Sequence, residues 1–341
     1  MPNTFKHKIS IAPMVDKTDK HFRYFARLLT KNTLLYTEMI TAQAIINGDR
    51  KRLLDFNAIE NPLALQIAAS NPEELYHAVK LAEDWDYDEI NLNAGCPSDR
   101  VSGNMMGACL MAYPDLISEM LSAMKSATNK PITVKHRIGI SSSKVTSPFM
   151  PYGEFKDYDQ LVEFINIINK ANPVRNIIHA RIAILEGLSP KENREIPPLD
   201  YELVYRLKKD IPTANVEING GIKNLDQIKE HLNHVDGVMI GREAYSNPVL
   251  MAEFDSLYDC KSPEPLTRRS IIESFIPYIE TLEKNEENAH LALTHTLGLF
   301  QNMPGSSQWK RLISTPYKGL KSQLLREALS SLPKDILDKE I

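Results

Sequence analysis

Cys96 stands between Gly95 and Pro97 at the end of the apolar run EINLNAG, residues 89–95. Proline has no amide hydrogen with which to continue a strand, and glycine lets the backbone turn. A cysteine so placed is poor core filler and belongs at the mouth of a cavity. An ordinary thiol has a pKa of about 8.5, so near neutrality it keeps its proton and can act as a general acid as well as a nucleophile. No His/Asp relay accompanies it, so hydrolase chemistry has no support. Cys109, in GACLM, reads instead as an inert, buried cysteine. Other polar residues recur where apolar runs stop: Pro13-Met14-Val15, Gln66, Asn93, Lys135 with Arg137, His179 with Arg181, Asn219-Gly220-Gly221 and Gly241-Arg242. Glycines at such ends bare backbone amides that can approach a phosphate closely. Arg242 and His179 can add charge and donors, and Lys135 and Gln66 can hydrogen-bond a heterocycle. The set as a whole points to a phosphorylated, planar cofactor.

Eight short apolar runs must position these groups: residues 9–14, 34–40, 63–68, 89–95, 132–139, 176–181, 216–222 and 236–242. Amphipathic segments lie between most of them, including residues 72–85, 116–127 and 225–235. Strand and helix alternating eight times predict a (β/α)8 TIM barrel, in which reactive groups gather at the carboxyl ends of the strands. A doubly wound sheet is the alternative, but the glycine fingerprint after its first strand is absent. The longest break, residues 141–157, is rich in Ser and Pro and predicts an exposed loop on the same face. From about residue 261 strand signals cease and helical periodicity takes over. The expected division is a catalytic barrel over residues 1–260 and a small helical bundle over residues 261–341.

The bulk composition narrows the class. Of 341 residues, 43% are apolar and 25% charged, as in ordinary globular proteins. Three cysteines form neither a disulfide framework nor a CxxC metal pattern. The N-terminus lacks a signal-peptide core and no apolar run could span a bilayer, so a reducing cytoplasm is expected and a membrane is not. The net charge of −4 argues against a general nucleic-acid binder. Between Glu287 and Glu327, however, no acidic residue occurs, while Lys310, Arg311, Lys318, Lys321, Arg326, His290 and His295 do. That stretch reads either as a solvated helix face or as a basic surface for RNA phosphates.

The motifs NLNAGCPSDRV, TVKHRIG, HAR, GLSPKENREIPPLDY (187–201), INGGI, GVMIGREAY and LGLFQNMPG (297–305) resemble the bacterial tRNA-dihydrouridine synthases of the A type over nearly the whole chain. That resemblance implies a barrel holding FMN, reduced by NADPH, and reduction of D-loop uridines 20 and 20a of tRNA. It gives Cys96 the proton for C5 and the flavin the hydride for C6. It makes Pro13, Met14, Val15, Gln66, Lys135, His179, Asn219, Gly220, Gly221, Gly241 and Arg242 flavin contacts. Asn93 would touch the target base, Lys191 and Arg194 would contact tRNA, and Arg137 and Arg181 would face the substrate. No obligate protein partner is implied. Extrusion of a base from folded RNA agrees with a reactive centre in a barrel mouth. The chain also departs from the family pattern. Ala68-Ala69 replace two glycines, Asn104 stands in an altered turn after the cysteine, and Ile182 and Glu186 alter the segment after HAR. Ser307 and Lys310 replace arginines that contact tRNA, which weakens phosphate binding. Two other readings are a flavin enzyme acting on a free pyrimidine, of the dihydroorotate dehydrogenase kind, and a diverged RNA-binding protein without catalysis.

Overall fold

The computed structural model describes residues 7–98, 105–258 and 265–341, and Asn104 and Cys260 lie outside them. The strands are β1 (Ile9–Ile11), β2 (Leu35–Thr41), β3 (Leu63–Ala68), β4 (Glu89–Ala94), β5 (Ile132–Ser141), β6 (Glu154–Phe155), β7 (Arg175–Ile184), β8 (Val216–Asn219) and β9 (Gly237–Ile240). They pair in the order β1-β9-β8-β7-β5-β4-β3-β2, with every neighbour parallel. A parallel bridge between Ser10 and Leu34 joins the two ends. There Ile11 N donates to Leu34 O at 2.9 Å and Leu34 N to Ile9 O at 3.1 Å. The sheet thus closes into the expected (β/α)8 TIM barrel.

Strand side chains alternate between faces. In β4 this puts Glu89, Asn91 and Asn93 on one face and Ile90, Leu92 and Ala94 on the other, all of them buried. The polar set faces the barrel axis, since Glu89 meets Arg175 of β7 at 2.7 Å. Ala12, Leu34, Tyr36, Ala64, Ile177 and Met239 form an apolar cluster with partners on several strands. Four of the barrel helices start where short polar side chains cap them. Asn71, Asp157, Asp200 and Asn224 each accept from the amide three residues on, at 2.8 to 2.9 Å.

The break over residues 141–157 is not a simple exposed loop. Its β6 returns antiparallel onto the end of β5, pairing Phe155 with Ile140 and Glu154 with Ser141. Met150 and Phe155 are fully buried. Gly153 permits the return with φ 73°, and a Cβ there would meet Ser142 O at 2.2 Å.

The contact pattern separates a barrel unit, comprising the chain up to Val15, Leu34–Phe56 and Asn61–Gly241, from a helical unit of Asp16–Thr33, Asn57–Glu60 and Arg242–Ile341. This division does not fall at residue 260. Residues 242–258 and the helix Lys20–Leu29 go with the helices for a packing reason. Phe25 meets Phe275 edge-on at 5.4 Å, Tyr24 stacks on Tyr278 at 3.9 Å, and Thr30 and the Asn32 amide bond Asp255. A buried Arg23–Glu60 pair at 2.6 Å fastens the same unit. Its other main helices are Arg268–Lys284, Ser306–Ser314 and Lys321–Ser331, with Trp309 fully buried and donating to Thr296 O at 3.1 Å.

Candidate active site

Cys96 follows β4 directly and is partly exposed, whereas Cys109 is wholly buried. Burial pushes the Cys109 thiol up to about 11, which suits the inert role. The Cys96 and Gly95 amides both donate to Asn93 Oδ1 at 3.1 Å, so an inward-facing amide of β4 folds the cysteine turn over its own strand end. Gly95 serves closeness rather than turning. Its φ is not positive, but a Cβ would lie 3.2 Å from His136 Cα of β5. The cysteine turn lies against the end of β5, since Arg137 Nε donates to Gly95 O at 3.0 Å.

Lys135, on β5, donates to Asn219 Oδ1 of β8 at 3.1 Å, and Asn219 Nδ2 donates to Met239 O at 2.8 Å. Desolvation, helped by the nearby Arg137, lowers Lys135 from 10.5 to about 8. His179 pairs in register with Asn219. Burial first, then the cations of Arg137, Lys135, Arg181 and Arg194, push its imidazole well below the usual range, so the ring is neutral at pH 7. Its Nδ1 is buried without a hydrogen-bond partner. Gly220 and Gly221 have φ of 123° and 72°, and a Cβ on either would strike the Leu199 side chain at 2.9 and 2.5 Å. Near Gly241 a Cβ would meet only Ala12 Cβ, at 3.7 Å, so its backbone stands open. An orphaned imidazole, a buried lysine with one hydrogen bond to Asn219 and the open backbone at Gly241 suit an anionic, phosphate-bearing group.

The remaining expected site residues divide. Gln66 is bonded to Asn93 and belongs to the Cys96 side of the mouth. Pro13 and Met14 are half-buried after β1, and Val15 is exposed. Ala68 and Ala69 are fully enclosed by protein. Arg137 is only 4% exposed and works as a bracket. It donates to Gly95 O at 3.0 Å, Ile182 O at 2.9 Å and Asn193 O at 3.1 Å, tying the cysteine turn to the loop after β7. Burial lowers it to about 10. Arg181 is half-buried and donates to Pro197 O. Lys191 and Arg194 are exposed on the short turn around Glu192–Arg194. In the helical unit, Arg242 is exposed at the start of a short helix, and Ser307, Lys310 and Arg311 are exposed on the helix Ser306–Ser314. The basic stretch is thinner than its composition suggests. Arg326 pairs with Glu280 at 2.6 Å, and His295 is buried against Asp19 at 3.0 Å.

Two functional features had escaped the reading of the sequence. Asn193 is fully buried and builds its loop. Its side chain accepts from Ile184 N at 2.8 Å and donates to Ile184 O at 2.8 Å and Leu188 O at 3.2 Å. The second is a charged cluster inside the barrel. Arg175 pairs with Glu89 at 2.7 Å and Glu217 at 2.9 Å, while Tyr36 and Thr133 donate to Glu89 at 2.6 Å each and Ser10 donates to Glu217. The alternating E-N-N of EINLNA was the visible signal for it.

A closed parallel barrel with its reactive groups at the carboxyl ends of the strands is the class of protein defined here, the (β/α)8 barrels. A solved 2-naphthoyl-CoA reductase complex shares the fold with a TM-score of 0.53 and 11% identity, over 73% of this chain and 50% of that one. More narrowly, the chain belongs to the dihydrouridine synthase (Dus) family, whose model matches residues 10–332. It is similar to the tRNA-dihydrouridine(20/20a) synthases of Synechocystis sp. (49% identity over 95% of this chain and 94% of that one) and Vibrio vulnificus (48% over 98% and 99%). The synthase of that name from Shewanella oneidensis is 50% identical over 89% of this chain and 87% of its own. Among the described residues no helix is long and apolar enough to cross a membrane.

Proposed function

We propose that this protein reduces uridine to 5,6-dihydrouridine in the D-loop of tRNA, at positions 20 and 20a, in the cytoplasm, with FMN as its cofactor and NADPH as reductant. The observation that carries the reading is the partly exposed Cys96 thiol in the barrel mouth, on a turn fixed by Asn93 and held by Arg137 through Gly95 O. The relatives' names support the substrate. Gln66 and Lys135 would hold the ring edge of the cofactor. Gly220, Gly221, Gly241 and the orphaned His179 Nδ1 would take its phosphate, with the 13–15 segment alongside. When bound and reduced, that group supplies the hydride that goes to C6 of the uracil.

The chain's own chemistry is the proton. The Cys96 S–H bond breaks and a C5–H bond forms as the C5=C6 π bond is consumed, leaving a thiolate that solvent reprotonates. Asn93, with its Nδ2 on Gln66, would border the everted base. Lys191 and Arg194 on the barrel unit, and Lys310 and Arg311 on the helical unit, would meet RNA phosphates.

The test is Cys96→Ala, assayed by dihydrouridine content of unmodified tRNA after incubation and by visible absorbance. The variant should keep the flavin spectrum and lose nearly all product. Full turnover would remove the acid role. Faster reduction of free uridine or orotate than of tRNA would favour the free-pyrimidine reading instead.

A further inference from the structure

A single directed chain of hydrogen bonds runs through the barrel from its buried charged cluster to the cysteine turn. Thr133 Oγ1 donates to Glu89 Oε1 at 2.6 Å, and Asn91 Nδ2 donates to Thr133 Oγ1 at 2.9 Å. Gln66 Nε2 donates to Asn91 Oδ1, and Asn93 Nδ2 to Gln66 Oε1, both at 2.8 Å. Asn93 Oδ1 then accepts from the amides of Gly95 and Cys96 at 3.1 Å each. Every side chain in it is at most 7% exposed.

The two ends fix the sense of the whole. Backbone amides can only donate. Glu89 sits under Arg175, Tyr36 and Thr133, all of which donate to it, so it acts only as an acceptor. Between these ends stand three carboxamides and one hydroxyl, each able to point either way alone. With both termini fixed, only one orientation satisfies all of them, and reversing any member would set donor against donor or acceptor against acceptor. The orientation of Asn93, and with it the place of the Cys96 backbone, is therefore set from the barrel interior.

We propose that Asn91 and Thr133 are positioning residues for Cys96, holding the Gln66 and Asn93 carboxamides in the one orientation that seats the thiol for proton transfer. Neither touches the cysteine, and both act through the amide relay. The proposal rests on the reading of Cys96 as the proton donor. It also accounts for polar residues where a barrel interior would ordinarily be filled by branched apolar ones.

The test compares Thr133→Val, which is close to isosteric and lacks the hydroxyl, with Thr133→Ser, which restores it. Two readouts are taken on each purified protein: the rate of Cys96 alkylation by iodoacetamide, located by peptide mapping, and single-turnover dihydrouridine formation with saturating unmodified tRNA. Thr133→Val should slow product formation about tenfold, the order expected for one lost buried hydrogen bond. The alkylation rate should change severalfold. Thr133→Ser should return both to wild-type. If Thr133→Val does not fold, the smaller Asn91→Ala carries the same expectations. Wild-type alkylation and turnover in the folded variant overturn the proposal, as does a loss that Thr133→Ser does not rescue. Cys96→Ala is run in parallel. If it stays fully active, the acid reading has failed. If it is inactive while Thr133→Val is normal, only the positioning proposal has failed.

Discussion

Lys135 makes the cofactor reading testable by pH alone. Its ammonium is lowered to about 8 from 10.5 because the barrel mouth desolvates it and Arg137 adds a second positive charge. A ligand that gives Lys135 a hydrogen-bond acceptor at its ring edge and brings an anion into the same mouth favours the charged form and returns the pKa toward its ordinary value, so binding takes up a proton. The sign follows: affinity is greatest below the free-site value and falls as pH rises through about 8. With the bound-state pKa back at its ordinary value, linkage gives a loss of about tenfold in FMN affinity between pH 7 and pH 9, with most of the slope above pH 8. The assay is titration of flavin-stripped protein with FMN, followed by quenching of flavin fluorescence at several pH values. Lys135→Gln should bind FMN more weakly at pH 7 and lose the slope over this window. A wild-type protein whose affinity is flat from pH 7 to 9, or a Lys135→Gln variant that keeps the wild-type slope, would refute the argument.

Two further outcomes concern other parts of the molecule. Arg175→Met should destabilise the protein by about 3–5 kcal/mol in urea unfolding, because it leaves Glu89 and Glu217 buried and facing each other without their shared cation; a change below about 1 kcal/mol would show that the cluster is not held by that charge. In the helical unit, the double substitution Lys310→Glu and Arg311→Glu should weaken tRNA binding and lower the magnitude of its salt slope by about 1 per cation removed. Flavin content should not change, and unaltered binding in a salt titration would take this helix out of the RNA surface.

The sequence made the barrel legible because the eight barrel strands fall on short, largely apolar runs bounded by turn residues, a local property that needs no knowledge of partners. It also disclosed the cysteine turn, because Gly95 and Pro97 mark an end whatever lies around them. It could not disclose why Gly95 is glycine, since the answer is the backbone of β5 at 3.2 Å, some forty residues away in the chain. Arg137 shows the same limit more sharply. As a cation at a strand end it read as a substrate ligand, and nothing in the sequence signals that carbonyls from distant segments take three of its five donors. The helical unit recruits Lys20–Leu29 through aromatic contacts with Phe275 and Tyr278, which no linker signal near residue 260 could announce. Period-two alternation puts Glu89, Asn91 and Asn93 on one face, but a burial pattern that is solid through β4 hides which face is the polar interior. Only the partner strands decide, since Thr133, Arg175 and Gln66 must arrive from β5, β7 and β3 before the polar face becomes cheaper to bury than to expose. The chemistry at the mouth is therefore local in the sequence, whereas the orientation of that chemistry is a property of barrel closure.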